Sequence, residues 1–185
     1  MSCLLTSGWA KGCKDNAGGL KRILLANKGD VVSFTEGVMA GSPPSTDPSG
    51  EIITITMAAL ASWYEFVPNK MSSNWVENIQ ANTQNGTIGY EQVLTMIFAK
   101  NEAAKRNQVA LLGQGEVYAI VEDYNGKYFL LGEFNGVELT GGSSASGTAL
   151  SDLNGWTLTL SAMEPEPAKE VTSTAIATLD IVVGV

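Results

Sequence analysis

Ser73–Ala99 reads SNWVENIQANTQNGTIGYEQVLTMIFA, two runs of strand-compatible residues joined by Asn85-Gly86. Asn-Gly between such runs is the strongest short-range signal for a tight β-hairpin, because both central turn residues need positive φ. Ser73–Gln84 is 12 residues, about 40 Å if extended at roughly 3.3 Å per residue. Most strands stop at about half that length. In the second arm Ile88, Tyr90, Leu94, Met96 and Phe98 follow period two, with Gln92 as the exception. Tyr90, Val93, Leu94, Ile97 and Phe98 also fit a helical stripe, but the Asn-Gly turn and the β-branched and aromatic content favour a strand. A hairpin this long overruns the core of a small domain, so part of it is expected to pack on another copy of the chain.

The remaining punctuation predicts a mainly β domain, a β-sandwich or small barrel with a long hairpin and one flanking α-helix. Residues 1–20 read as a Gly-rich N-terminal arm, 21–163 as the β domain with a helix at 101–112, and 164–185 as a C-terminal extension. Lys21–Asn27, Val31–Phe34, Glu51–Met57 and Trp63–Val67 are expected strands, with Gly41–Gly50 (GSPPSTDPSG) an exposed loop. Asn101 is placed to cap the helix and Gly113 to end it in the left-handed region. Glu116–Tyr124 and Lys127–Phe134 flank a second turn at Asn125-Gly126. Val137–Thr140 follows, then Gly141–Gly147 (GGSSASG) as a loop and Trp156–Ala162 as an alternating strand. Glu164-Pro-Glu-Pro reads as a stiff acidic connector, and Val171–Val185 as one last strand that pairs within the chain or on a neighbouring subunit.

The chain of 185 residues carries no histidine, two cysteines and a net charge of −8. A length of this order suits one domain that buries roughly 70% of its unfolded surface. Charged residues make up only 16%, against about 25% in an ordinary domain, so more of the surface is neutral or apolar, as an assembly subunit requires. The acidic balance argues against a reader of duplex DNA, whose footprint is basic. Without histidine there is no Ser-His or Cys-His arrangement, and no GxSxG, P-loop or HExxH pattern occurs. Cys3 and Cys13 have three readings: packing as small hydrophobes, bridging, or ligating a metal with other donors. Nothing reads as a signal peptide or membrane span, so synthesis and folding in the cytoplasm are expected.

Local candidates for chemistry are weak. Glu122 and Asp123 are neighbours on a strand and point to opposite faces, so they make no catalytic pair. Asp123-Tyr-Asn125-Gly126 lacks the spaced carboxylates and distal Glu of a calcium loop. Gly113-Gln-Gly115 follows a helix and lacks the third glycine of a dinucleotide fingerprint. Trp63, Tyr64, Phe66 and Trp75 have two readings, a carbohydrate-binding face or alternating core residues. No enzyme, cofactor or metal site is predicted.

The order of elements carries a resemblance. The long hairpin leads to a helix with Ala103-Ala-Lys-Arg-Asn107, then Val121-Glu-Asp-Tyr-Asn-Gly-Lys-Tyr-Phe-Leu-Leu-Gly-Glu133, a Gly-rich loop and Gly155-Trp-Thr-Leu-Thr-Leu160. With Gly12-Cys-Lys-Asp15, Gly18-Gly-Leu20 and Ile23-Leu-Leu-Ala-Asn27, this resembles virion structural proteins of tailed bacteriophages, most closely tail tube proteins. The resemblance runs from about Gly12 to Glu164 and has no chemical signature. It implies rings, commonly hexameric, stacked into a tube that conducts DNA in the virion tail after assembly in the host cytoplasm. Partners would be further copies, other virion proteins and passing DNA, with no membrane. Hairpins of neighbouring subunits would line the bore, making Trp75, Glu77, Ile79, Asn85, Gly86, Tyr90 and Glu91 the candidate interface and lumen residues. Glu77 and Glu91, one on each arm, are the expected bore-facing acids that repel phosphates. Neck, adaptor or head-decoration roles fit the same resemblance, and a carbohydrate-binding sandwich is the alternative of another class.

Overall fold

The computed structural model describes residues 8–38 and 48–184. The described residues are 51% strand and 11% helix, hence mainly β as expected, in two packed sheets. At the centre of the larger sheet β1 (Leu20–Asn27) runs antiparallel to β7 (Val117–Asp123), with Leu24 opposite Ile120. Outward from β1 lie β4 (Trp63–Phe66) and β12 (Ile181–Val182). Outward from β7 lie β8 (Tyr128–Leu131), β11 (Lys169–Val171), β3 (Pro48–Met57) and β2 (Val31–Val38). The smaller sheet orders β5 (Asn74–Asn82), β6 (Thr87–Ala99), β10 (Gly155–Glu164) and β9 (Glu138–Ala145).

Two cores explain why Val117–Val121 has no polar position: β7 is covered on both faces, so alternation disappears. Ile23, Leu25, Ala119 and Val121 face the smaller sheet and pack with Leu94, Met96, Leu158 and Leu160. The intervening Leu24, Ala26, Tyr118 and Ile120 face the other way, with Ile52, Ile55, Trp63 and two residues of α2 (Ser173–Ala177), Ala175 and Ile176. The larger sheet curls around this second core. Phe34 meets Tyr118 edge-on at 4.9 Å, and Trp63 Nε1 donates to Met57 Sδ at 3.1 Å, bringing the ends of β3 and β4 together. Each large apolar side chain so buried contributes about 1.5–3 kcal/mol. α1 (Ala103–Leu112) flanks the sandwich, with Val109 and Leu112 against the first core.

Several local expectations are corrected. The hairpin connection has four residues, 83–86, with Asn82 opposite Thr87, and only Gly86 has positive φ, +64°. Asn82 Oδ1 accepts the N–H groups of Gln84 and Asn85 at 3.0 and 3.1 Å, a side-chain turn that ends the first arm before the Asn-Gly pair. The N-cap of α1 is Glu102, without a side-chain cap bond, while Asn101 Nδ2 donates to the carbonyl of Ala145 and to Asn154 Oδ1. Gly113 is right-handed, φ −74°.

Gly141–Ala145 belongs to β9 instead of a loop. A Cβ at Gly142 would lie 2.9 Å from the Thr157 carbonyl, so the lack of side chain serves close strand approach. Pro48 opens β3, a position where a missing donor is tolerated, and residues 41–47 of the expected loop lie outside the described residues. Cys3 also lies outside them; Cys13 is exposed and free.

The expected C-terminal extension is integral to the fold. β11 inserts between β8 and β3, antiparallel to the first and parallel to the second. Thr172 caps α2, its Oγ1 accepting from Ala175 N, and β12 pairs parallel with β4. At the other terminus Gly8–Gly18 is exposed and leads into β1, which starts at Leu20.

Candidate functional site

The β5–β6 hairpin is two structures in one ribbon. Its register places Trp75, Glu77, Ile79 and Ala81 opposite Leu94, Gln92, Tyr90 and Ile88, a single row facing the larger sheet. At the root this row is core. Leu94 is fully buried and Trp75 packs on Phe129, ring centres 5.3 Å apart. Next along, Gln92 is buried, its Nε2 donating to Glu77 Oε1 at 3.1 Å and its Oε1 accepting Gly132 N–H at 2.9 Å. Glu77 Oε1 also accepts Ala168 N–H at 2.7 Å. These bonds tie the ribbon to the end of β8 and to the segment before β11, satisfying polar groups that burial would otherwise penalise.

Past Gln92 the cover ends. β10 terminates with Glu164 opposite Tyr90, so among the described residues Thr87–Gly89 have only β5 beside them. Ile79 and Ile88 stand 66% and 58% exposed, and every residue from Asn78 to Ile88 is exposed. Ile79, Ala81, Ile88 and half-buried Tyr90 thus continue the core row as an apolar strip that no sheet among the described residues covers.

The expected bore-facing acids do not share a face. Glu77 lies in the core-facing row, half-buried and bonded at the root, whereas Glu91 is opposite Asn78 on the other side of the ribbon. There Glu91 Oε2 accepts from Gln80 Nε2 at 3.2 Å and Asn78 Nδ2 at 3.4 Å. Register decides this: adjacent positions such as Glu91 and Gln92 point to opposite faces. Of the other candidates, Trp75 belongs to the root, and Ile79, Asn85, Gly86 and Tyr90 lie on the projecting part. Gln92, whose break in the apolar alternation is the sequence signal for it, is the residue that links the ribbon to the end of β8.

Two polar clusters brace the hairpin's foot. Buried Glu164 accepts the N–H groups of Phe134 and Asn135, both at 3.0 Å, and Asn135 Nδ2 donates to the Met163 carbonyl at 2.6 Å. Burial raises the Glu164 pKa, only partly offset by those backbone donors. Lys169, also buried, pairs with Glu36, with Glu133 at 3.0 Å and with Glu166 at 3.0 Å. Burial works against the Lys169 charge, but these carboxylates outweigh it and raise its pKa. Burial raises Glu133 as well. At the opposite end of the larger sheet, buried Glu122 pairs with Lys21 at 2.6 Å and with Arg22, which reaches Glu65 at 3.4 Å. Burial pushes Glu122 up, yet hydrogen bonds from Lys21 and Arg22 prevail and lower its pKa.

The aromatics proposed for a carbohydrate face do not form one. Trp63 is fully buried in the second core, Phe66 packs on Phe98 at 6.0 Å, Trp75 packs on Phe129, and only Tyr64 is markedly exposed. Among the described residues no group of three or more Cys, Asp or Glu side chains is arranged to hold a metal ion. No helix among them is long and apolar enough to cross a membrane. No family model matches the chain, and neither a curated protein nor a solved structure does.

Proposed function

We propose that this chain is a self-assembling structural subunit, the building block of a phage tail tube, whose projecting hairpin is completed by sister molecules. The observation that carries self-association is the strip Ile79–Ala81–Ile88–Tyr90: it continues the core row beyond the domain that would cover it. Burying it between copies removes apolar surface from water, worth about 25 cal/mol per Å². β5 is an edge strand among the described residues, and its outer backbone groups add pairing capacity along the same ribbon. The narrower identity, a tube for DNA, rests on the order of elements that resembles tail tube proteins. Glu91, on the polar face of the ribbon, is the better candidate for a lumenal acid, and Glu77 serves the root.

Negative-stain imaging and light scattering of the purified chain test this. Rings or tubes of one diameter are expected, and Ile79→Ser with Ile88→Ser should abolish them without unfolding the domain. A particle that remains monomeric at high concentration refutes the reading. A single closed ring with no stacking would favour a neck or adaptor role over a tube.

A further inference from the structure

The arm and the hairpin leave the sandwich at opposite ends. Asn125, in the β7–β8 turn, holds the arm by its backbone: Oδ1 accepts Ala17 N–H at 2.8 Å and Nδ2 donates to the Ala17 carbonyl at 2.9 Å. Nδ2 also lies 2.7 Å from Asn16 Oδ1. At the other end of β8, Gly132 donates to Gln92, beyond which the hairpin projects. Going from Gln92 to Leu94 along β6 leads past the Trp75–Phe129 contact back toward the Asn125 turn, so the tip points away from the arm.

Ahead of the clamp, Gly8–Asp15 is exposed throughout, and Trp9 is fully so at 103%. A tryptophan left wholly in water on an anchored strap forgoes the largest apolar contribution any side chain offers. Charge does not oppose the contact: the hairpin Asn74–Ala99 carries no Lys or Arg to repel Lys11 and Lys14 of the arm, and its two acids lie off the strip, Glu77 at the root and Glu91 on the other face. Gly8–Asn16 reaches about 30 Å when extended, enough to cross to an adjoining copy.

We infer that Trp9 of one copy seats on the Ile79–Ile88–Tyr90 strip of the next, so that arm and hairpin form a head-to-tail joint. The inference rests on the self-assembly reading above and adds the axial contact to it. Each copy offers a donor at one end and an acceptor at the other; a heterologous contact closes into a ring if its rotation closes and otherwise runs on as an open stack, and contacts at opposite ends of the sandwich favour the stack. The outer edge of β5 beside the strip gives the extended arm backbone partners as well.

The test uses the full chain. Trp9→Ala should raise the concentration at which long assemblies appear by about ten- to a hundredfold, the worth of one buried aromatic. Independently, Trp9→Cys with Ile88→Cys, in a chain carrying Cys3→Ser and Cys13→Ser, should give an open ladder of covalent multimers on oxidation, reversed by reductant. If Trp9→Ala assembles at the unaltered chain's concentration and the cysteine pair fails to cross-link, the joint is refuted. The self-assembly reading then still stands if Ile79→Ser with Ile88→Ser abolishes assembly. A ladder that stops at the dimer refutes the head-to-tail geometry. An unaltered chain that is monomeric at every concentration overturns both.

Discussion

Root and tip of the β5–β6 hairpin share one backbone register and one apolar row, yet differ in what lies beneath them. Leu94 and Trp75 rest on the larger sheet; Ile79 and Ile88, a few positions along the same row, are mostly exposed and have no sheet beneath them among the described residues. The same side-chain chemistry therefore has opposite consequences: at the root it holds the monomer together, and at the tip it is stored for another molecule. The largest difference follows directly. Leu94→Ala empties a fully buried site and should cost about 2–5 kcal/mol in urea unfolding. Ile88→Ala should leave the monomer's stability within about 0.5 kcal/mol while weakening assembly. If both substitutions cost the monomer alike, the tip is not free.

The boundary between the two regions is Gln92. Replacing it with Leu keeps most of the volume but leaves Gly132 N–H without its acceptor and Glu77 without its amide donor. A loss of about 1–3 kcal/mol is expected, with faster amide exchange at Gly132 as the specific sign that the link was broken. Glu77 keeps its bond from Ala168, so the hairpin should loosen at its root without detaching.

Acid separates the two ends of the sandwich next. Glu122, far from the tip, has a lowered pKa, so its contribution is present above the ordinary carboxylate value and lost as pH falls through its depressed one. Glu164 and Glu133, at the hairpin's foot, have raised pKa values, so their ionised forms cost stability near neutrality and protonation relieves that cost. Thermal melting should thus show stability rising modestly as pH drops toward about 5 and falling below about 4. Glu122→Gln should remove much of the acid-side fall; an unchanged profile would mean that its pairing with Lys21 and Arg22 is not what acid disrupts.

The sequence made the hairpin legible through alternation and Asn85-Gly86, because register and turn chemistry are local. It made the doubly covered β7 legible as an apolar run, but not its two cores, since covering depends on partners far along the chain. Asn82 stayed hidden because its side chain competes with the backbone for the turn, which moves the end of the arm by two residues. β9 stayed hidden because Gly141-Gly-Ser-Ser-Ala has the composition of a loop and gains its order from lying flat against β10. β11 left no local trace at all. Three residues after Pro167 become a strand only because β3 and β8 leave a slot between them. At the candidate site, acidic residues one per arm were visible, whereas their facing depended on a pairing register that no single arm encodes.

The smallest expected effect is the most discriminating of the two acids. Glu91→Gln removes a charge whose partners are amides at 3.2 and 3.4 Å on an exposed ribbon face, and stability should move by no more than about 0.5 kcal/mol. Glu77→Gln should be felt more, since Ala168 N–H and Gln92 Nε2 both converge on Oε1, and a neutral amide oxygen accepts them more weakly than a carboxylate does. Substituting both acids together mixes a surface effect with a root effect and reads out neither. Taken singly, Glu91 alone tests a role for charge in the assembled state: if Glu91→Lys leaves folding intact but lets DNA bind assembled particles, with binding lost at high salt, the polar face of the ribbon is the one that DNA meets. If DNA binding is unchanged, that face is turned elsewhere and Glu91 only orders Asn78 and Gln80.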